Sequence, residues 1–281
     1  MDSTLNVKIS SRSASHSGAL FFSLYVFLLS ITGIAWGAES AALNTEIGIS
    51  ALHFDYQEVD NSGRVLDKEQ GGIPGLSLKV GQRVNDWEWE SIASYHDGQV
   101  PYSGQTNLGT PYNTETREKI GDISLRLGRW FDWNYPVMPY AGIGYRRWDR
   151  DILPGSVNGL FESYRWNYIW VGSKLLVLEN QSSKVMLDIG LLKPLGPEMH
   201  IDFKGTFPIS PIVYPESNLG LRAMITSSIS LSQNIRLIVE PYFEYWNLGR
   251  SPNISSGTLT LYEPTSYTRN MGINLRLRWT H

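Results

Sequence analysis

Four residues of this chain have the types and spacing for general-base chemistry. His96 stands beside Asp97, and His200 lies two positions before Asp202. A histidine close to a carboxylate can activate water. The two pairs, facing each other across a shared opening, would make a hydrolytic site with His96, Asp97, His200 and Asp202 as its candidates. An Asp-x-Asp pair also occurs at Asp149-Arg150-Asp151. His53 and Asp55 are one residue apart, so on a strand they share a face, where a hydrogen bond inside the protein is expected. The competing reading of each pair is a polar segment made for solubility. The chain has no cysteine, which excludes disulfides, thiolate catalysis, thiolate zinc sites and lipidation at cysteine. It also has no Gly-rich phosphate cradle, nucleophile elbow or clustered metal-ligand spacing, so no metal and no cofactor are expected. A formal net charge of −3 gives no basis for nucleic-acid binding.

The elements that would position these residues begin after a targeting segment. Lys8 and Arg12 precede an almost wholly apolar run from Gly18 to Ile34, and the small residues Ala35, Gly37 and Ala38 follow. This is the layout of a secretory signal peptide, read here as residues 1–37 with the folded domain at 38–281. An uncleaved anchor is the alternative. Nothing later is comparably apolar, so any further membrane insertion must use strands.

The remainder alternates between period-two runs and polar punctuation. In the last run Met271, Ile273, Leu275, Leu277 and Trp279 face one way, and Asn270, Gly272, Asn274, Arg276 and Arg278 the other. Two runs lose phase, near Ala51-Leu52 and over Tyr164 to Val177, as a bulge would cause. Linkers alternate short (Asn85-Asp86, Asp132 to Tyr135, Glu179 to Ser183, Ser232 to Asn234) and long (Asp60 to Gly72, Gln99 to Thr116, Ile152 to Glu162, Leu195 to Ser217, Gly249 to Thr268). Charges stand mid-strand opposite aliphatic rows. A soluble sandwich would bury the aliphatic row, whereas a membrane barrel turns it to lipid and the charges to the lumen. The expected lumen set is Lys79, Arg83, Glu88, Glu90, Asp122, Arg126, Arg146, Asp188, Arg222, Arg236, Glu240, Glu244, Arg276 and Arg278, with signs near balance. Few charged residues (18%) with 10 Trp and 15 Tyr suit a surface meeting both lipid and water. The fold expected is all-β, an up-and-down antiparallel transmembrane β-barrel of about ten strands, with eight or twelve as the alternatives. Several runs exceed the 9–11 residues or so that cross a bilayer, so the barrel should project on its long-loop side. Arg146, Arg147 and Arg150 could meet lipid phosphates there.

Asn270, Gly272, Leu275 and Leu277, continued by Trp279, resemble the C-terminal assembly signal of bacterial outer-membrane barrels, without its terminal aromatic because the chain ends Thr280-His281. Strand count and loop order resemble the ten-stranded omptin proteases and Opc-type adhesins. Omptins carry Asp-x-Asp in the second outer loop and Asp-x-His in the fourth. Here the fourth long linker holds His200-Ile201-Asp202, in reversed order, and the second holds no Asp-x-Asp. The resemblance implies residence in a Gram-negative outer membrane, reached through the barrel-assembly machinery. Outer-membrane lipid, lipopolysaccharide included, and an extracellular ligand are the partners expected. The leading expectation is a structural or surface-binding barrel without catalysis, acting through Tyr-rich outer loops. A narrow pore for small solutes and an omptin-like or lipid-modifying hydrolase are the alternatives.

Overall fold

The structure, a computed structural model, describes Ala42 to His281 apart from residues 107–108 and 257–258. The segment read as a signal peptide lies outside the described residues. Ten long strands follow one another: β1 (Leu43–Val59), β2 (Val65–Val84), β3 (Trp87–Gln105), β4 (Pro111–Arg129), β5 (Pro136–Ile152), β6 (Leu160–Glu179), β7 (Ser183–Asp202), β8 (Gly220–Ser230), β9 (Ile235–Gly249) and β10 (Thr265–Thr280). Each pairs antiparallel with its sequence neighbour, and β10 also pairs with β1, so the sheet closes on itself. Closure leaves no edge strand, which is what a sheet in hydrocarbon requires.

The outer face carries an aliphatic belt. Ile47, Ile49, Leu76, Leu127, Ile143, Ile169, Val171, Ile189, Leu191, Ile225, Met271, Ile273, Leu275 and Leu277 all point outward and are exposed. On β10 the belt runs from Met271 to Trp279, nine residues, against roughly 9–11 needed for a tilted strand to cross hydrocarbon. Aromatic side chains mark its margins: Trp87, Trp133 and Tyr135 at the short-turn end, and Tyr95, Tyr145 and the stacked pair Tyr245–Tyr267 at the other. The short-turn end is built tightly. Asn85 takes a positive φ of 54° in the two-residue turn between β2 and β3.

Beyond the belt the wall continues toward the long loops, and its outer face turns polar: His53, Gln70, Asp97, Arg117, Lys119, Arg147 and Arg165 occupy the outward positions. Two of the segments expected to be long loops, Asp60 to Gly72 and Gln99 to Thr116, are therefore mostly strand. The connections shrink to residues 60–64, 106–110 and 153–159, with longer ones only at 203–219 and 250–264. In the fourth, Ile212–Val213 folds back onto Met199 and His200. The phase change at Ala51-Leu52 is not a bulge, because β1 and β2 stay in one register from Leu43 to Glu58. Instead the apolar row swaps faces. Ile47 and Ile49 face out within the belt, whereas Leu52, Phe54 and Tyr56 face in above it. The second slip coincides with one bulge on β6, between Leu176 and Leu178; the irregularity at Arg165 to Asn167 adds its residue to β7, and β6 keeps its even positions inward from Glu162 to Lys174.

Glycines let aromatic rings lie against the wall from inside. Any Cβ at Gly144 would fall on the ring of Tyr168, its cross-strand partner, and Gly272 and Tyr242 repeat the arrangement. Tyr168 in turn donates its hydroxyl to Asp122 (2.9 Å). We expect Gly144→Ala to displace the ring and cost about 1–3 kcal/mol, as overpacking in a filled interior does. The reading is a lower urea midpoint for loss of the compact, heat-modifiable gel band. An unchanged midpoint would show that the ring shifts freely.

Candidate functional site

The interior is filled in tiers. Within the belt, seven cations (Lys79, Arg126, Arg146, Lys174, Arg222, Arg276, Arg278) face seven carboxylates (Glu46, Glu88, Glu90, Asp122, Asp188, Glu240, Glu244). Arg126 bonds Glu90 and Asp188, each at 2.6 Å, with its guanidinium over the rings of Tyr140 (4.6 Å) and Trp170 (4.5 Å). Lys79 and Lys174 reach Glu90 at 2.5 Å, and Lys174 also reaches Glu88 at 2.8 Å. Arg276 bridges Glu46 and Glu240, both at 2.8 Å, while Arg278 holds the other oxygen of Glu46. One tier further out, Arg146 meets Glu244 at 2.8 Å and Asp122 at 3.5 Å, and Arg222 closes the ring onto the same two acids. Buried charges are tolerated only when paired and hydrogen-bonded in this way.

Of the expected lumen set, Lys79, Glu90, Asp122, Arg126, Arg146, Asp188, Arg222, Glu240, Glu244 and Arg276 are buried inside, and Glu88 and Arg278 are partly buried. Arg83 and Arg236 have the inward phase but stand at the short-turn rim, where Arg83 lies over Trp130 and Arg236 donates to Ser228. Glu46 and Lys174 belong to the lattice too. They were overlooked because β1 and β6 were the two runs with disturbed phase.

Above the belt the balance breaks. Arg150 is buried and donates to Glu69 (2.9 Å), Glu58 (2.8 Å), Glu162 (2.7 Å) and Asp67 (2.9 Å). Glu118 accepts from the Trp148 indole, and Glu263 accepts from Tyr164 at 2.7 Å. Among the described residues, one cation therefore stands among six buried carboxyl groups. Burial first, and neighbouring carboxylates second, push Glu58, Glu118 and Glu263 well above the usual carboxylate range. Burial also raises Asp67 and Glu162, opposed by Arg150. Arg150 is thus no lipid-phosphate ligand. Its even-numbered position on β5 points it inward, as it does Arg146, and only Arg147 faces out, paired with Asp149 at 3.0 Å.

The candidate base residues do not converge. His96 is buried inside and bonds Ser50 at 2.9 Å. Asp97, the next residue on the same strand, must point to the other face, where it takes a two-pronged bond from Arg117, both arms 3.0 Å. His200 lies on the outer face against Arg165, and Asp202 accepts the backbone N–H of Lys204 at 2.8 Å. Asp149 and Asp151 also face out, bound to Arg147 and Lys204. His53 and Asp55 do share a face, but it is the outer one, and His53 pairs with Gln70 at 3.0 Å.

The tiers separate the interior into compartments. A cavity of about 180 Å³ opens at the short-turn end beside Glu46, Lys79, Glu88 and Trp130. A pocket of about 60 Å³ lies mid-barrel beside His96, Asp122, Arg146 and Glu244. A larger vestibule, about 570 Å³, opens among the outer loops, lined by Tyr102, Tyr112, Ile152, Leu160, Phe203 and Phe207. Its rings meet in pairs, Tyr102 with Tyr112 at 6.1 Å and Phe203 edge-on to Phe207 at 5.1 Å. Tyr112 is fixed by a bond from its hydroxyl to the carbonyl of Leu153 (3.1 Å), and Asn158 ties two of the loops by donating to Thr206 (3.1 Å). Tyr102 floors the vestibule, with the Arg150 guanidinium 5.8 Å beneath its ring.

Compared with solved structures, the chain superposes on the outer membrane protease OmpT from Escherichia coli with a TM-score of 0.60 at 10% identity, covering 87% of this chain and 99% of that one. By fold, the chain is a closed ten-stranded antiparallel β-barrel, the fold of outer-membrane barrel proteins. OprG from Pseudomonas aeruginosa (TM-score 0.40, 10% identity, 87% and 98% covered) and Neisserial surface protein A (0.34, 13%, 86% and 99%) are more distant barrels. No family model matches this β-barrel, and no curated protein does. At such identities the likeness concerns the fold alone, and the chemistry of the barrel must come from its own residues.

Proposed function

We propose that this is a closed-lumen barrel of a Gram-negative outer membrane that binds an apolar or aromatic group in the vestibule among its outer loops, without catalysis. One contrast carries the reading. The lumen is crossed by tiers of paired side chains, whereas the vestibule is open, apolar and within the volume range, roughly 300–1,000 Å³, of small-molecule sites. The side chains around it are held by bonds made without a ligand, which lowers the ordering cost of binding. Barrel-assembly machinery would receive the chain through β10, and lipid, lipopolysaccharide included, would surround the belt.

A naphthylamine dye that brightens in apolar surroundings tests the site. We expect saturable binding to the refolded barrel. Phe207→Ala, which removes a half-buried ring from the vestibule wall, should weaken it by about tenfold, the equivalent of roughly 1.4 kcal/mol. Undiminished binding in that variant would place the dye elsewhere and remove the support for the reading.

A further inference from the structure

The walls of the vestibule are uncharged. Among the described residues, the side chains that line it are aromatic, aliphatic, hydroxyl or amide groups, none of them ionised at neutral pH. Lys204, beside Gly159 at the rim, is neutralised by its pair with Asp151. The charge that a ligand would meet lies under the floor. The Tyr102 ring has the Arg150 guanidinium beneath it, and the Tyr102 hydroxyl and Asp67 together bound the space that a Cβ on Gly104 would take. The floor of the vestibule is thus also the roof of the acid tier.

That tier draws on nearly every strand around it. Glu58 comes from β1, Asp67 and Glu69 from β2, Glu118 from β4, Arg150 from β5, Glu162 from β6 and Glu263 from the connection before β10. Tyr56, Tyr102 and Tyr164 are the other titratable groups that face it, and burial raises all three above the ordinary phenol range. Asp67 Oδ1, Glu69 Oε2 and Glu118 Oε1 are buried and accept from no donor group. Glu69 and Glu118 instead meet carboxyl to carboxyl, as do Glu58 and Asp67. Each such contact needs a proton between its two groups. Even with a proton in both contacts and on Glu263, the remaining carboxylates outnumber the one guanidinium. Arg150 already holds the centre of the four carboxyl groups that it bonds, so a bare metal ion finds no place among them.

We propose that the vestibule selects organic cations, taking an ammonium whose apolar body lies among Tyr102, Tyr112, Phe203 and Phe207 and whose charge is drawn by the acid tier beneath Tyr102. No passage through the floor is needed, because the attraction acts across a buried ring, where it is screened far less than in water. The rings add to it, since aromatic faces attract cations. An anion of the same shape would meet the excess of carboxylate from above. The inference rests on the vestibule being a ligand site, as proposed above, and adds the charge of its ligand and a dependence on pH. As pH rises the protons shared within the tier leave, the tier becomes more negative, and the cation should bind more tightly.

Three compounds with one naphthylmethyl body test this: the trimethylammonium, the alcohol and the carboxylate. Each displaces the neutral naphthylamine dye from the barrel refolded in non-ionic detergent, so that micelle charge plays no part. The quantity read is the affinity of each charged compound relative to the alcohol in the same sample. Above the ordinary carboxylate range the ammonium is expected to bind about tenfold more tightly than the alcohol, and the carboxylate about tenfold more weakly. The ammonium's advantage should grow as pH rises and shrink with added salt. Glu118→Gln with Glu263→Gln removes two titrating groups while leaving an amide oxygen to accept from Trp148 and Tyr164. In that variant, with heat-modifiable migration showing that it folded, the advantage should be smaller and its rise with pH flatter. If the alcohol displaces the dye saturably and Phe207→Ala weakens it, but the ammonium has no advantage, or an advantage that ignores both pH and the double variant, charge selection is overturned and the vestibule reading stands. If the alcohol does not displace the dye, or Phe207→Ala leaves its affinity unchanged, the vestibule reading falls and this inference falls with it.

Discussion

Replacing Arg150 with methionine should loosen the outer end of the barrel more than any other single substitution, by about 3–5 kcal/mol at pH 8, the usual consequence of removing one partner from a buried charge cluster. Four carboxyl groups bond directly to this guanidinium, and its loss leaves them facing one another with no other cation in the tier among the described residues. The effect should depend on pH in a defined direction. Glu58, Asp67, Glu118, Glu162 and Glu263 all titrate above their ordinary range in the folded barrel. The folded state therefore holds protons that the unfolded chain has released. Such groups contribute their full stabilisation below the unfolded carboxylate range, and it is lost as pH rises through the raised values. The wild-type outer end should accordingly weaken as pH rises above the ordinary carboxylate range, opposite to the trend for salt-bridged carboxylates. Arg150→Met should steepen that slope, with its deficit against wild type shrinking as pH falls toward the ordinary carboxylate range. Deuterium exchange at the outer ends of β1, β2, β5 and β6 is the appropriate readout, since the change is local. A pH-independent loss would mean that Arg150 acts through packing against Tyr56 and Tyr102 rather than through charge.

The second large effect concerns conductance. The wild-type barrel should be silent in planar bilayers, because the tiers of paired charges close its lumen. Arg126 is the group whose removal should matter most. It joins Glu90 to Asp188 and lies over both Tyr140 and Trp170, so it fills the section between the short-turn cavity and the pocket beside His96. Arg126→Ala should convert silence into flickering openings that favour cations, since Glu90 and Asp188 lose a shared partner. It should also cost about 3–5 kcal/mol of stability. Steady openings of the wild-type protein would instead revive the reading as a narrow pore, and heat-modifiable migration must accompany any silent recording to establish that the barrel folded.

Most of the wall could be read from the sequence, and the unread portion has a single cause. Within the belt one face meets apolar surroundings and the other a charged lumen, so Met271 to Trp279 alternates cleanly and fixes the phase of Arg276 and Arg278. Above the belt both sides of the wall carry polar groups, and the contrast on which period two depends disappears. Asp67 and Glu69 lie inside while Lys68 and Gln70 lie outside, and a row of four polar residues reads as a loop. For this reason the tier around Arg150 was invisible, and its lysine- and glutamate-rich approach was assigned to connections. The same limit explains the separated base residues. Adjacency in sequence suggested that His96 and Asp97 work together, but on a strand it places them on opposite sides of the wall. The vestibule had only a compositional signal, the abundance of Tyr, Pro, Gly, Ser and Thr in the outer connections. Which rings would meet depended on loops that the alternation could not order.

The two ends of the described chain lie side by side. The backbone N–H of His281 donates to the carbonyl of Leu43 at 3.0 Å, and Arg276 and Arg278 on the last strand clasp Glu46 on the first. These are among the most distant partners in the sequence, so the clasp cannot form until nearly the whole chain has been laid down, and closure is the slow, late step of folding. The same adjacency makes the barrel suited to circular permutation. A short linker joining His281 to the start of β1, with new ends cut into the exposed turn at 60–64, would turn the clasp into a local hairpin and should speed closure while leaving every strand neighbour unchanged.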